Sequence, residues 1–247
     1  MLVIGHRGAR GEAPENTLAG FLHARTVGVK DFELDVRLSA DGIPVVIHDD
    51  NTRRTTAVTG DVAALTAAKL AALDARQGTP GWREPVGIPS LESVLVSCRE
   101  CDSWQLEVKS DGPQRIRALA HAMAAVVDRL GLRERVTFTS LDVPTLDIIA
   151  GELPGFRHAY VAEFAEPPAL QTSRAFASSL LVINWQLVSQ SLVDEAHAAG
   201  LPVSVWTVND LKVADQLLRI GVDSIITDYP TAMLAHLAMR RRLAAAG

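Results

Sequence analysis

The strongest constraint on this chain is a regular alternation. Short runs rich in β-branched residues recur along it, and each is followed by a stretch with helical spacing of its apolar residues. Strand-like runs fall at residues 2–5, 32–36, 104–108, 136–140, 158–162, 180–184, 203–207 and 224–227. Helical spacing fills 17–27, 91–98, 113–130, 143–151, 168–176, 191–199, 211–220 and 231–243. Parallel strands need a long crossover between them, usually a helix, so eight strand–helix units in one chain predict a (β/α)8 TIM barrel. A doubly wound open sheet is the competing arrangement. It usually carries a glycine-rich phosphate turn after an early strand, and no G-x-G-x-x-G occurs here. One interval breaks the rhythm. The stretch 49–89 is too long for an ordinary βα loop. It predicts a small insertion after the second strand, at 51–89, with residues 44–48 leading up to it, inside a single domain spanning 1–247.

Composition narrows the class of protein. Hydrophobic residues make up 48% of the 247, enough to bury a core, which argues against disorder. The 24 basic and 29 acidic residues give a net charge of −5, and the only dense basic cluster is Arg240-Arg241-Arg242. That cluster suits the C-terminal end of a last helix, where cations meet the helix dipole. No nucleic-acid partner is expected. No apolar run approaches the ~18 residues of a transmembrane helix, so no stable membrane anchor is expected. The start, Met1-Leu2-Val3-Ile4-Gly5-His6-Arg7, reads as a strand rather than a secretory signal, which predicts a cytoplasmic location. An oligomeric state is not legible. Cys98 and Cys101 form a C-x-x-C pair at the C-terminal end of a predicted helix, and no further zinc ligands accompany them. A structural role is expected for both.

Barrel enzymes place their chemistry at the C-terminal ends of the strands. The first strand ends in His6-Arg7-Gly8. The second contains Glu33-Leu34-Asp35-Val36, and alternation puts Glu33 and Asp35 on one face, with Leu34 and Val36 toward the helices. By the same rule Glu107 and Lys109 share a face after the third. Three inward carboxylates need protons or a cation. All-oxygen ligands suit Mg²⁺ or Ca²⁺. The competing reading is a buried ion-pair network with Arg7 and Lys109. His48 follows the apolar run Val45-Val46-Ile47. His6 and His48 would therefore flank the carboxylates at the barrel mouth. Imidazole titrates near pH 6.5, so the two suit a general base and a general acid on either side of a phosphorus. The other histidines, at 23, 121, 158, 197 and 236, are expected to be structural.

Further motifs stand in order along the chain. They are Pro14-Glu15-Asn16-Thr17, Asp41-Gly42-Ile43-Pro44-Val45-Val46-Ile47-His48-Asp49, Arg54-Thr55-Thr56, Ile88-Pro89-Ser90-Leu91-Glu92, Val205-Trp206-Thr207-Val208-Asn209 and Gly221-Val222-Asp223-Ser224-Ile225-Ile226-Thr227-Asp228-Tyr229-Pro230. Together with the histidine and carboxylate motifs, they make the chain resemble the glycerophosphodiester phosphodiesterases, of the phospholipase-C-like phosphodiesterase superfamily. The resemblance runs from Ile4 to Pro230. It implies a (β/α)8 barrel with a small insertion after the second strand. It implies that Glu33, Asp35 and Glu107 hold one divalent cation, with Mg²⁺ favoured over Ca²⁺ on cytoplasmic availability. His6 and His48 become the acid/base pair, and Arg7 and Lys109 the phosphate contacts. The substrate becomes a small-molecule glycerophosphodiester, such as glycerophosphocholine or glycerophosphoethanolamine, cleaved to glycerol 3-phosphate and an alcohol. Both an intramolecular attack through a cyclic phosphate and a direct attack by water are compatible with it.

Trp206 is expected either to pack on the glycerol carbons or to fill the barrel mouth. Asn16 is expected to cap the first helix, and Asp228 to serve as a cap or a salt-bridge partner. Two other functions compete. A lysophospholipase D or a sphingomyelinase D-like enzyme on the same fold would need a larger apolar mouth. A non-catalytic phosphate-ligand-binding barrel is opposed by the filled metal and acid/base positions.

Overall fold

The computed structural model describes residues 1–79 and 81–246. Its strands are β1 (Leu2–His6), β2 (Asp31–Leu38), β3 (Pro44–Val46), β4 (Ser103–Val108), β5 (Val136–Ser140), β6 (Arg157–Ala162), β7 (Leu181–Asn184), β8 (Val203–Trp206) and β9 (Ser224–Thr227). The helices are α1 (Leu18–Thr26), α2 (Ala67–Ala71), α3 (Leu91–Ser97), α4 (Pro113–Arg129), α5 (Val143–Glu152), α6 (Ala169–Ala175), α7 (Gln190–Ala198), α8 (Leu211–Arg219) and α9 (Pro230–Ala246). Every strand except β3 runs parallel to its neighbours, and β1 pairs with both β2 and β9, which closes the ring. This is the expected (β/α)8 barrel, with element ends displaced by a few residues at most.

The departure is β3. It pairs antiparallel to β2, with Val36 opposite Val46 and Leu38 opposite Pro44. The connection between the two strands is too short for a crossover, so the chain can only fold back as a hairpin. The turn is tied by Ser39, whose hydroxyl accepts from the Ile43 amide at 2.9 Å. After β3 the insertion begins. It has its own apolar centre of Val45, Ile47, Val62, Leu70, Ala75 and Ile88. Its one α-helix among the described residues is α2.

Polar caps start the helices on one face of the ring. Thr17, Ser90, Asp142, Ser189 and Asp210 each accept a backbone amide from the first turn of the helix they precede. Alternation then sorts the strand side chains. Phe32, Leu34, Val36, Leu106 and Val108 face the helices within the larger core. Inside the ring, Ile4, Ala159, Val161, Val182 and Ile226 form an apolar plug. Beside it Gln105 donates to the Ser204 hydroxyl at 3.2 Å. The charged mouth therefore rests on a filled floor. Cys98 and Cys101 are buried and unbridged, in line with a structural role. No described helix is long and apolar enough to cross a membrane.

Behind β2, Trp104 stacks on Phe32 with ring centroids 5.2 Å apart, and Phe21 meets Phe32 edge-on at 5.5 Å. These rings back the strand that carries Glu33 and Asp35. Replacing Trp104 by Ala is expected to cost about 3–5 kcal/mol of unfolding free energy, read as a lower urea midpoint. A loss below about 1 kcal/mol would show that the cluster does not anchor this strand.

Candidate active site

The site begins with the sharp turn that ends β1. Arg7 and Gly8 adopt φ of +51° and +89°. A Cβ on Gly8 would stand 2.8 Å from the Gly20 carbonyl carbon and 2.9 Å from the Phe21 nitrogen, so only glycine fits. The turn directs the Arg7 amide to the Glu33 carbonyl at 3.0 Å and brings it 3.3 Å from Glu33 Oε2. Sheet register does the rest. His6 lies beside Glu33 across β1 and β2, and Asp35 lies beside Glu107 across β2 and β4.

One oxygen from each of Glu33, Asp35 and Glu107 lies within 4.8 Å of the others. Asp35 is completely buried and holds the centre. Lys109 Nζ stands 2.8 Å from its Oδ1, Arg7 Nε 3.0 Å from its Oδ2, and Asn16 Nδ2 donates to Oδ2 at 2.8 Å. Burial opposes ionisation of Asp35, yet Lys109 and Arg7 hold its carboxyl far below the usual range. Lys109 also donates to Glu107 Oε1 at 2.5 Å.

The ion-pair network weighed above therefore exists, but it does not balance. Three triad carboxylates face two permanent cations, and Arg7 also serves Glu15 at 3.0 Å. Glu33 has no ion pair with either cation among the described residues. Burial first, then Asp35 and Glu107, push its carboxyl well above the ordinary value, and burial likewise raises Glu107. Oxygen donors alone and excess negative charge together fit a hard divalent cation.

Each histidine at the mouth has its own aspartate. His6 Nδ1 meets Asp228 Oδ1 at 2.6 Å, and His48 Nδ1 meets Asp49 Oδ1 at 2.7 Å. An aspartate acceptor keeps the proton on Nδ1 and leaves Nε2 for chemistry. His6 Nε2 lies 3.8 Å from Glu33 Oε2. Burial pulls both imidazoles below their ordinary value, while Asp228 opposes this for His6. Asp228 is itself held by Asn209, which donates to its Oδ2 at 2.8 Å.

His6, Arg7, Glu33, His48, Glu107 and Lys109 line one cavity of about 290 Å³, and Trp206, half-buried, forms part of its wall. The metal, acid/base and phosphate-contact candidates from the sequence thus meet here, with Asp35 buried among them. The remaining five histidines pair elsewhere with carboxylates or backbone carbonyls.

Two assignments change. Asn16 does not cap α1. Thr17 takes that role, its hydroxyl accepting from the Gly20 amide at 3.1 Å, and Asn16 orients Asp35 instead. Both residue types are good caps, so only the turn geometry, with Asn16 at φ +53°, separates them. Asp228 is the salt-bridge partner expected, but its partner is His6, 222 residues away. For Asp49 a signal existed in the sequence, because it directly follows His48.

Residues 6–232 match the Glycerophosphoryl diester phosphodiesterase family. The chain belongs to that family. It is 31% identical over 238 residues to a glycerophosphodiester phosphodiesterase of Caldanaerobacter subterraneus subsp. tengcongensis, covering 94% of this chain and 96% of that one. It is 26% identical to the lysophospholipase D GDPD1 of Mus musculus, covering 93% of this chain and 84% of the relative. Among solved structures, an Oleispira antarctica phosphodiesterase in complex with the product sn-glycerol-3-phosphate superposes with a TM-score of 0.88 at 28% identity, covering 96% and 97% of the two chains. A glycerophosphodiester phosphodiesterase from Agrobacterium tumefaciens superposes at 0.83, with 28% identity over 95% and 99%.

The charge imbalance makes a prediction about stability. The folded-state pKa of Glu33 is raised, so its ionisation destabilises the fold as pH rises through that value. In chelator at pH 8, Glu33→Gln is expected to unfold at a higher temperature than the unaltered protein. Divalent cation should reverse the order, adding about 2.7 kcal/mol to the unaltered protein at 100 times the dissociation constant and little to the variant. Scanning calorimetry with and without cation reads both effects. Equal cation-induced shifts would remove Glu33 from the metal set.

Proposed function

We propose that this protein hydrolyses glycerophosphodiesters, such as glycerophosphocholine and glycerophosphoethanolamine, to glycerol 3-phosphate and the free alcohol, with one divalent cation bound by Glu33, Asp35 and Glu107. The observation that carries the reading is the meeting of two aspartate-paired histidines and an under-neutralised carboxylate triad in one cavity. Family membership and the product complex of the Oleispira antarctica relative support it. Mg²⁺ is the better candidate in a cytoplasmic setting, and Ca²⁺ suits the same donors. The barrel and the 51–89 insertion act as one catalytic domain.

When bound, the cation supplies Lewis acidity and positive charge toward the phosphoryl oxygens. Arg7 and Lys109 add two permanent charges on the cavity wall, and the neighbouring carboxylates keep both protonated. They counter the anionic oxygens that otherwise repel a nucleophile. One histidine takes the proton of the attacking hydroxyl at Nε2, and the other gives a proton to the departing alcohol oxygen. Asp228 and Asp49 hold the two rings. Trp206 packs against the glycerol carbons. Glu163, also on the wall, is exposed and has no ion pair among the described residues, which favours a positively charged alcohol such as choline or ethanolamine.

Release of glycerol 3-phosphate from glycerophosphocholine tests the reading, with choline release from lysophosphatidylcholine as the parallel arm. Turnover should require Mg²⁺ or Ca²⁺ and vanish in chelator. His6→Ala and His48→Ala should each lower kcat by roughly 10²–10⁴-fold, with cation affinity nearly unchanged. Full activity in chelator, or near-normal kcat in either variant, would sink the assignment. Choline released faster from the lysolipid would favour the lysophospholipase D reading.

The His6–Asp228 pair adds a pH prediction. Asp228 raises the His6 pKa, so Asp228→Asn should lower it. The limb of the pH–kcat profile that follows His6 then moves to lower pH, whether His6 acts as base or as acid. The expected drop in kcat at the optimum is roughly ten- to hundredfold. A profile displaced to higher pH would contradict the pairing.

A further inference from the structure

Arg54 stands in the insertion, off the cavity wall, and grips two carboxylates at once. Its Nε donates to Asp49 Oδ2 at 2.7 Å and its Nη2 to Asp49 Oδ1 at 3.2 Å. Its Nη1 donates to Glu15 Oε2 at 2.7 Å, and Nη2 also to Glu15 Oε1 at 2.8 Å. Both carboxylates have a second partner that does line the cavity. Asp49 Oδ1 holds His48 Nδ1, and Glu15 Oε1 accepts from Arg7 Nη1 at 3.0 Å. Glu15 lies in the loop after β1 and Asp49 in the segment after β3, and these two strands are not paired with each other. The guanidinium of Arg54 thus bridges the two loops directly, side chain to side chain.

We propose that Arg54 is a positioning residue, which fixes the imidazole of His48 and the guanidinium of Arg7 relative to one another by clamping Asp49 and Glu15. The proposal rests on the phosphodiesterase reading of the site. An exposed salt bridge at the rim is the competing explanation, and it would matter little to stability or turnover.

Three observations favour a clamp. The Arg54 backbone sits in a tied turn. The Thr52 amide donates to the Gly60 carbonyl at 3.0 Å, the Thr56 amide to the Thr52 carbonyl at 2.9 Å, and both threonines are fully buried. The two carboxylates are much less exposed than the arginine, at 11% and 24% against 42% of side-chain area, so their orientations are set by protein partners rather than by water, with Arg10 Nε also 3.4 Å from Glu15 Oε2. Finally, four donor contacts to two carboxylates use the planar fork of a guanidinium, which a lysine ammonium cannot reproduce.

The test compares Arg54→Ala and Arg54→Lys in the full chain with Mg²⁺ and glycerophosphocholine. A clamp predicts a kcat lowered by roughly 10- to 100-fold in both variants. KM and the thermal midpoint should change little. Guanidinium ion at sub-denaturing concentration should restore part of the Arg54→Ala turnover, because the vacated position opens to solvent. Asp49→Asn combined with Arg54→Ala should cost no more than the larger single change. In the same samples, the His48 ring nitrogens, observed by ¹⁵N NMR of labelled histidine, should shift in Arg54→Ala while those of His121 do not. An unchanged kcat, or a loss of kcat with no guanidinium rescue and an unmoved His48 signal, overturns the proposal. If the unaltered protein releases no glycerol 3-phosphate, the phosphodiesterase reading fails, and the NMR comparison alone decides whether Arg54 positions His48.

Discussion

The mutual repulsion of Glu33, Asp35 and Glu107 inside the barrel mouth is the constraint on which the rest of the arrangement depends. Removing three carboxylates from water is costly unless each finds a compensating charge or proton. Asp35, the most buried, receives Lys109, Arg7 and Asn16. Glu107 shares Lys109, and Glu33 is left with backbone and imidazole neighbours. The protein thus neutralises the centre of the triad and leaves its edge short of positive charge. A buried salt-bridge network built for stability would not stop there. The imbalance is what the proposed cation site requires.

The barrel makes this geometry possible by register. Neighbouring parallel strands place Asp35 beside Glu107 and His6 beside Glu33, so the carboxylates converge without any unusual backbone on β2 or β4. At the site, positive φ falls in the turn after β1, at Arg7, Gly8 and Asn16. That turn brings the Arg7 amide onto Glu33 and the Asn16 amide group onto Asp35. Beneath it, the apolar plug of Ile4, Ala159, Val161, Val182 and Ile226 closes the barrel and keeps the mouth shallow.

The two histidines solve a shared problem in different ways. Each needs an acceptor on Nδ1 so that Nε2 is free, and each is pushed toward neutrality by burial. For His6 the acceptor comes from just after the last barrel strand, held by Asn209. For His48 it is the next residue in the chain, held in turn by the insertion. Barrel closure thus orients one imidazole and the excursion after β3 orients the other. The 51–89 insertion contributes to the site without supplying any of the residues that line the cavity.

The fold and most of the site were legible in the sequence because both depend on short-range periodicity. Alternation along Glu33-Leu34-Asp35-Val36 and along Leu106-Glu107-Val108-Lys109 sorts charge inward and apolar groups outward whatever the distant packing. The eight strand–helix units allow few other architectures. What only the tertiary structure decided are relations between residues far apart in the chain. Asp228 reaches His6 because β9 pairs with β1 to close the ring, and nothing local to Asp228 marks that role. Asn16 turned from cap to carboxylate ligand because Thr17 beside it had the better geometry for the amide of Gly20. Sequence determined which groups could face the cavity; barrel closure decided which of them touch, since only closure brings the first and last strands within hydrogen-bond distance.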